Sequence, residues 1–462
     1  HPMARIERSP KRFYIHRLGC PKNDADAETM AGLLTAQGLV STEDSARADV
    51  CIVNTCGFIG DAKKESLDAV LDLVATRRPE QRVIVASCLY QRYGKQLVSE
   101  IPEVDAWIGT GAVDRVVDAL DASPGEGRQY HEGEVFLARA DTPRVTLGDG
   151  LVSYVKIGDG CDRRCAFCAI PLFKGSQRSR SGALILPEVA DLSAKGTREI
   201  VLVAQDTSAW GRDLNPPERL PALLASLDTV PGYAWLRLLY LYPDRIDEAL
   251  LEQIATQARL LPYFDLPMQH AADAVLTRMR RGTSRAALED CIGRIRARIP
   301  EAVLRSAFIV GFPGETEDDF LELCDFVDEM AMDNVGVFTF SEEEGTAAMD
   351  MDGAVEPEER ERRRDELMDI QASVSEARLA ARVDTHLDIL VESEEWADDV
   401  EPDGEGPVAF LGRFYGQAPD VDGVVFLRLE EGVAKPRPGD LVRARIEDSL
   451  DYDLFAVLEA DE

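Results

Sequence analysis

Three times in its first hundred residues the chain runs from a short β-branched or aromatic stretch, through a cysteine, into helical periodicity. Residues 12–16 lead to Cys20 and a helix over about 24–37, residues 50–54 to Cys56 and a helix over about 61–75, and residues 82–86 to Cys88 and a helix through Leu97. Alternating strand and helix predicts a parallel sheet, and such sheets collect their ligands at the carboxyl ends of the strands. The three cysteines are therefore expected to converge on one edge.

Between Gly125 and Gly150 the pattern breaks into Pro, Gly and charge, which predicts a linker holding at most a stray strand. A second strand and helix series follows, with strands near 153–157, 199–204, 234–240, 263–266, 303–310 and 334–340. Six such units predict a partial (β/α)6 barrel with its chemistry at the C-terminal strand ends. Residues 356–382 form a charged run without proline after Pro357, expected to be a solvated helix joining domains. Five short strands near 387–391, 409–415, 424–429, 441–446 and 454–458 then predict a small antiparallel β-barrel of the oligonucleotide-binding, OB-like kind. The fold class is thus α/β. Its divisions are 8–130 for the parallel domain, 131–150 for a linker, 151–355 for the barrel, 356–382 for the linker helix and 383–462 for the terminal domain.

Charge alters the expectation for that last domain. The chain carries 85 Asp and Glu against 51 Lys and Arg, a formal net charge of −34, and from Val383 to Glu462 there are 22 acidic residues and 6 basic ones. Nucleic acids are bound largely by cations that displace counterions from phosphates, so a generic RNA or anionic-membrane binder is disfavoured and a basic partner favoured. A patch such as Glu394, Glu395, Asp398 and Asp399 would serve as its dock. No run of 18 apolar residues and no basic-then-apolar leader is visible, so the expectation is a cytoplasmic protein without a membrane span. There, nine cysteines suit metal binding or catalysis better than a disulfide framework.

Three of the nine lie in Cys161-Asp162-Arg163-Arg164-Cys165-Ala166-Phe167-Cys168, just after the first barrel strand. A loop of this length can wrap three sulfurs round one face of a cubane cluster and leave the fourth iron without a protein ligand, where four cysteines are usual. Structural zinc is the alternative, but it asks for four ligands. None of His1, His16, His131, His270 and His386 stands at a fourth-ligand spacing. Cys51, Cys291 and Cys324 read as small core hydrophobes. Polar groups also stand at other strand ends: Gln205-Asp206, Gln269-His270 and Gly311-Phe312-Pro313-Gly314-Glu315, with Arg178 and Arg180 after the cysteine loop.

CxxxCxxC with Phe167 before its last cysteine resembles the radical S-adenosylmethionine (SAM) superfamily, which uses such a barrel. Leu18-Gly19-Cys20-Pro21-Lys22-Asn23, Asn54-Thr55-Cys56-Gly57-Phe58 and Ala86-Ser87-Cys88 resemble the amino-terminal domain of the methylthiotransferases, and the terminal barrel resembles their TRAM domain. The resemblance implies two [4Fe-4S] clusters, one on Cys161, Cys165 and Cys168 with SAM on its open iron, and an auxiliary one on Cys20, Cys56 and Cys88. It further implies SAM contacts from Gln205, Asp206, Gln269, Gly311 and Phe312, with Gly311 admitting close approach to the adenine. His270 and Arg178, and with them Arg180, become candidates for acting on cofactor or substrate.

Within the family, Gly19 to Asn23, Cys56-Gly57-Phe58-Ile59, Asp159 to Cys165 and Leu202 to Thr207 are similar to the branch that converts an aspartate of ribosomal protein S12 to 3-methylthioaspartate. The acidic run Asp24 to Glu28 departs from that branch's pattern. One SAM would serve as methyl donor and another as source of a 5′-deoxyadenosyl radical, with a flavodoxin or ferredoxin as reductant. The acidic terminal domain favours S12 over a direct tRNA substrate. A tRNA adenosine methylthiotransferase and a non-catalytic iron–sulfur carrier are the other readings.

Overall fold

A computed structural model describes residues 10–131, 135–394 and 410–460. The three strands predicted at the start are Arg12–Arg17, Val50–Thr55 and Arg82–Ser87, adjacent and parallel in a six-stranded sheet. Val40–Ser41 pairs on one side of this trio, and Ala106–Ile108 and Arg128–Tyr130 extend the other. Arg128–Tyr130 is the stray strand allowed for in the Pro- and Gly-rich stretch.

Helix Pro21–Ala36 starts earlier than periodicity suggests, because Pro21 enters its first turn with a preset φ and Cys20 takes the N-cap position. Most of its surface is buried, including Asp26 and Glu28, since the first barrel strand, Val152–Lys156, packs against it. Lys156 meets Asp26 there, while Arg144 joins Glu28 (2.6 Å) to Glu188 (2.5 Å). The helix expected through Leu97 is two helices, Cys88–Tyr93 and Lys95–Glu100, because Gly94 turns the chain at φ +44°.

All six strands of the partial barrel form. Val152–Lys156, Glu199–Val203 and Trp235–Leu238 make one parallel sheet, Tyr263–Asp265, Val303–Val310 and Asn334–Thr339 another, and a Leu236–Leu260 bridge joins them. The charged helix is Pro357–Ala380, and it is not solvated all round. Arg363, Leu367, Gln371 and Val374 are buried at a spacing of three or four, with Leu379 buried further on, against strand Asn334–Thr339 and helix Glu317–Met330.

The terminal domain is a closed five-stranded barrel, His386–Ser393, Phe410–Phe414, Val425–Leu429, Leu454–Leu458 and Leu441–Ser449 in order round the wall. It departs from the expected antiparallel pattern at one pairing, because Val425–Leu429 and Leu454–Leu458 run parallel. Its core is continuous with the floor of the α/β barrel: Val201, Trp235, Tyr263 and Val303 pack in one cluster with Ile389, Phe414 and Ala418. The loop after Phe414 places Asp420 and Asp422 on the hydroxyls of Tyr154 (3.0 Å) and Tyr263 (2.6 Å). Glu394 pairs with Lys435 at the surface, whereas Glu395, Asp398 and Asp399 lie outside the described residues.

Candidate functional site

The CxxxCxxC loop is held at its base by Gly158–Asp159 pairing antiparallel with Arg178–Ser179. Gly160 is required there, since φ is +77° and the Ser176 carbonyl occupies the place of a Cβ. Inside the loop Cys161 donates its amide to Gly175 (3.0 Å), Ala166 donates to Met279 (2.9 Å), and Ala348 donates to Ala166 (2.9 Å). The cysteines are thus positioned from three separate elements. Burial pushes the thiol of Cys161 up to about 11 and that of Cys168 to about 12, so a metal binding there would displace protons.

Arg281 was not singled out by the sequence, yet it is buried and donates from Nη1 to Cys165 Sγ (3.3 Å) and to the Tyr242 hydroxyl (2.7 Å). The Tyr242 ring lies between two guanidinium groups, Arg163 at 4.1 Å and Arg281 at 4.4 Å. Arg163 is fixed in turn by Asp206 (3.2 Å) and Asp244 (2.7 Å), and its amide donates to Cys161 Sγ (3.4 Å).

The amino-terminal cysteines follow three adjacent parallel strands, as the pattern required. Cys56 sits under Gly19, whose Cβ position would be 3.0 Å from Cys56 Cβ, and the Cβ position of Gly57 would be 2.8 Å from the Cys88 carbonyl. Asn23 ties the three turns together, donating to Leu18 (2.9 Å) and Thr55 (3.0 Å) and lying 3.8 Å from Cys88 Sγ. Burial, with Cys88 and then Cys20 nearby, pushes the Cys56 thiol up to about 12. Cys88 packs against Ala169 and Phe173, immediately beyond Cys168.

Cys165 of the loop and Lys22, two residues beyond Cys20, meet one stretch, Leu239-Tyr240-Leu241-Tyr242-Pro243, at the carboxyl end of strand Trp235–Leu238. Tyr242 reaches Cys165, with 3.6 Å from hydroxyl to Sγ. Tyr240 turns its ring beneath Lys22, two residues beyond Cys20, with the ammonium 3.9 Å from the ring centre. A buried ion network closes the same joint: Asp159 accepts from Lys174 (2.9 Å), Lys156 (3.4 Å) and Gln205 (2.6 Å). Glu343 draws in Lys63 (2.7 Å) and Arg92 (2.6 Å) from the amino-terminal domain.

The remaining expected residues have mixed surroundings. Gln205 faces Asp159 with its Oε1 buried and unpartnered, and Asp206 caps the short helix Thr207–Ala209 besides holding Arg163. Gln269 sits at φ +76° with its backbone bridged to Phe308. His270 is fully buried; its Nδ1 accepts from the Ala272 amide (3.0 Å) and its Nε2 stands 3.6 Å from Glu315. Gly311 has φ +72°, and the stem of Arg360 fills the place a Cβ would take. Phe312 is buried edge-to-face on Phe340 (5.3 Å), in a cluster with Ala166 beneath the cysteine loop. Arg178 is exposed on the short hairpin, while Arg180 is buried on Glu188 (2.5 Å) and the Lys156 carbonyl (2.9 Å), which makes it structural.

Among the described residues no three His, Cys, Asp or Glu side chains close on a point that would hold a single metal ion. A cubane takes each cysteine at a different iron and asks for no such point.

Residues 12–109 match the uncharacterized protein family UPF0004, residues 155–327 the radical SAM superfamily, and residues 385–458 the TRAM domain. The chain is 42% identical, over 96% of its length and 92% of theirs, to the ribosomal protein uS12 methylthiotransferase RimO of Anaeromyxobacter sp. (strain Fw109-5). It belongs to the RimO family. The RimO of Thermotoga maritima is 41% identical, covering 96% of this chain and 99% of its own, and that of Desulforudis audaxviator 43%, covering 96% of each. Among solved structures, the radical SAM methyltransferase TsrM from Kitasatospora setae shares the fold at a TM-score of 0.54, with 14% identity over 87% of this chain and 82% of that one. As a RimO family member the chain is a radical SAM methylthiotransferase, an enzyme whose superfamily uses an iron–sulfur cluster and SAM. No helix among the described residues is long and apolar enough to cross a membrane.

Proposed function

We infer that the enzyme methylthiolates ribosomal protein uS12, at the β-carbon of an aspartate, with Cys161, Cys165 and Cys168 holding one [4Fe-4S] cluster and Cys20, Cys56 and Cys88 a second. The observation that carries this reading is that Cys165 of the loop and Lys22, two residues beyond Cys20, meet the single stretch 239–243, while Cys88 packs on Ala169 next to Cys168. When bound, the clusters and SAM supply the one-electron chemistry that breaks an unactivated C–H bond, one SAM serving as radical source and another as methyl donor.

The chain's own residues hold and enclose that chemistry. Arg281 and the Arg163 amide put N–H donors on the sulfurs of Cys165 and Cys161. The cluster of Phe312, Phe340 and Ala166 keeps water from the underside of the loop. The acidic exterior suits a basic ribosomal protein, and it speaks against a tRNA, whose phosphates it would repel. A flavodoxin or ferredoxin is the proposed electron donor.

The test supplies anaerobically reconstituted enzyme, SAM and a reductant with uS12 and, separately, with tRNA, and reads both by mass spectrometry. A methylthio group on an aspartate of uS12 is expected. A modified tRNA adenosine beside untouched uS12 would overturn the substrate, and failure to cleave SAM would reduce the protein to an iron–sulfur carrier.

A further inference from the structure

The buried lysines of the described residues differ in one respect. Lys156 lies against Asp26 and Asp159, and Lys174 against Asp159. Lys22 is 7% exposed, and among the described residues its ammonium has neither a hydrogen bond nor an ion pair; its contact is the face of Tyr240 at 3.9 Å. A largely covered cation without an anion is costly, even where, as here, the ammonium keeps an edge of solvent. Its location adds to the cost, because Lys22 is the second residue of helix Pro21–Ala36, where the backbone dipole already presents positive charge. Ammonium and helix end together favour an anion there.

Tyr240 is itself held under constraint. Its φ is +60°, uncommon for a residue with a bulky side chain, and it is kept there by its amide on Asp265 (2.9 Å) and its carbonyl on the Thr207 amide (3.0 Å). The constrained ring supports the lysine at the joint of the two cysteine sites, two residues from Cys20 and, along the strand end, two residues from the Tyr242 that touches Cys165.

We propose that Lys22 is the substrate-orienting residue, its ammonium pairing with the side-chain carboxylate of the aspartate to be modified. This rests on the reading of uS12 as substrate. The carboxylate is bonded directly to the β-carbon, so pinning it to Lys22 holds that carbon between Cys20 and Cys165. Lysine, a point charge on a flexible stem, can keep this grip while the neighbouring carbon changes geometry.

The test is a double-mutant cycle on binding, with reconstituted enzyme and uS12 carrying either the modified aspartate or asparagine in its place. Wild type should prefer the aspartate form by about tenfold or more, the scale of a charge-assisted hydrogen bond. Lys22→Met should bind both forms equally, and Lys22→Arg should restore part of the preference. Iron per chain is measured on every variant. Full preference retained in Lys22→Met would overturn the proposal, as would loss of iron from that variant, which would assign the ammonium to the charge around Cys20. If wild-type enzyme bound neither form of uS12, the substrate reading would fall first and the role of Lys22 with it.

Discussion

Replacing Glu199 by Gln should undock the terminal barrel. Glu199 lies at the start of strand Glu199–Val203, with one carboxylate oxygen 2.6 Å from Arg237 Nε in the α/β barrel and the other 2.6 Å from Arg413 Nη2 in the terminal one. All three side chains are buried. An amide cannot accept from both guanidinium groups, since its NH2 must face one of them. Arg413 would keep Glu392 (2.6 Å) and the Gln417 carbonyl (2.7 Å), while Arg237 would keep only the Tyr415 carbonyl (2.9 Å). Breaking a buried pair from one side costs about 3–5 kcal/mol. At 2–4 °C per kcal/mol for a unit of this size, that is a fall in Tm of about 6–20 °C. Burial alone would raise the carboxyl of Glu199, but Arg237 and Arg413 outweigh it and hold it below the ordinary value of 4.5. A lowered folded pKa gives stability that is complete above that value and is lost as pH falls through the folded one. The gap between wild type and Glu199→Gln should therefore be constant near neutrality and narrow only in acid below about 4.5. Anaerobic scanning calorimetry measures both, with Glu392→Gln, a partly exposed partner of Arg413, as a control expected to cost about 1 kcal/mol or less. A Glu199→Gln shift no larger than the control's would refute the argument.

Changing Cys161, Cys165 and Cys168 together to Ala should lower iron from about eight per chain to about four and abolish 5′-deoxyadenosine formation; undiminished iron would remove the loop from the assignment. The triple change at Cys20, Cys56 and Cys88 should also leave about four irons and yield no methylthiolated uS12 by mass spectrometry. Arg281→Met removes the cation that donates to Cys165 Sγ, so the loop's cluster should become harder to reduce, by ~59 mV for each tenfold in the one-electron equilibrium. An unchanged potential in an EPR-monitored titration would deny the contact its role. Burial raises Asp24 to about 6 despite Arg17, so the wild-type fold loses stability as pH rises from the ordinary 3.8 through 6. Asp24→Asn should then be the more stable protein at pH 7, by about 1–3 kcal/mol, and indistinguishable below pH 4 in denaturant titrations.

Much of the fold was legible because each strand carries its own local signal: β-branched residues, then glycine or cysteine, then helical spacing. Cys20, Cys56 and Cys88 could be placed together because parallel strands put successive carboxyl ends on one edge, which follows from topology alone. What was missed involves contacts between distant segments. The charged helix Pro357–Ala380 shows a weak apolar stripe because Arg363 and Gln371, polar residues, fill two of its buried positions, so composition read as solvation. Arg281 lies more than a hundred residues from Cys165 and in a run of arginines, where nothing local marks one as the sulfur's donor. Tyr240 and Tyr242 carried a usable signal, two aromatics alternating at a barrel strand's carboxyl end, but burial in a core predicts the same pattern. For Gly311, nothing local in the sequence says that the stem of Arg360 lies against its Cβ position.

The distribution of charge ties the fold to the chemistry. An exterior rich in carboxylates would leave an iron–sulfur and SAM site poorly served if the scarce cations were spread evenly. Six of them, Lys22, Lys156, Arg163, Lys174, Arg281 and Arg305, stand at the joint around stretch 239–243 and the floor beneath it. Most of them are neutralised in place by Asp26, Asp159, Asp206 and Asp265, which lets them knit the amino-terminal domain to the barrel without a large net field. Arg281 is turned onto a sulfur instead, and Lys22 has no ion pair among the described residues, only the ring of Tyr240. Of these six, the two without a carboxylate meet the same five residues, Lys22 at Tyr240 and Arg281 at Tyr242. One serves the sulfur of the cysteine loop, and the other is the cation proposed to hold the carboxylate of the substrate.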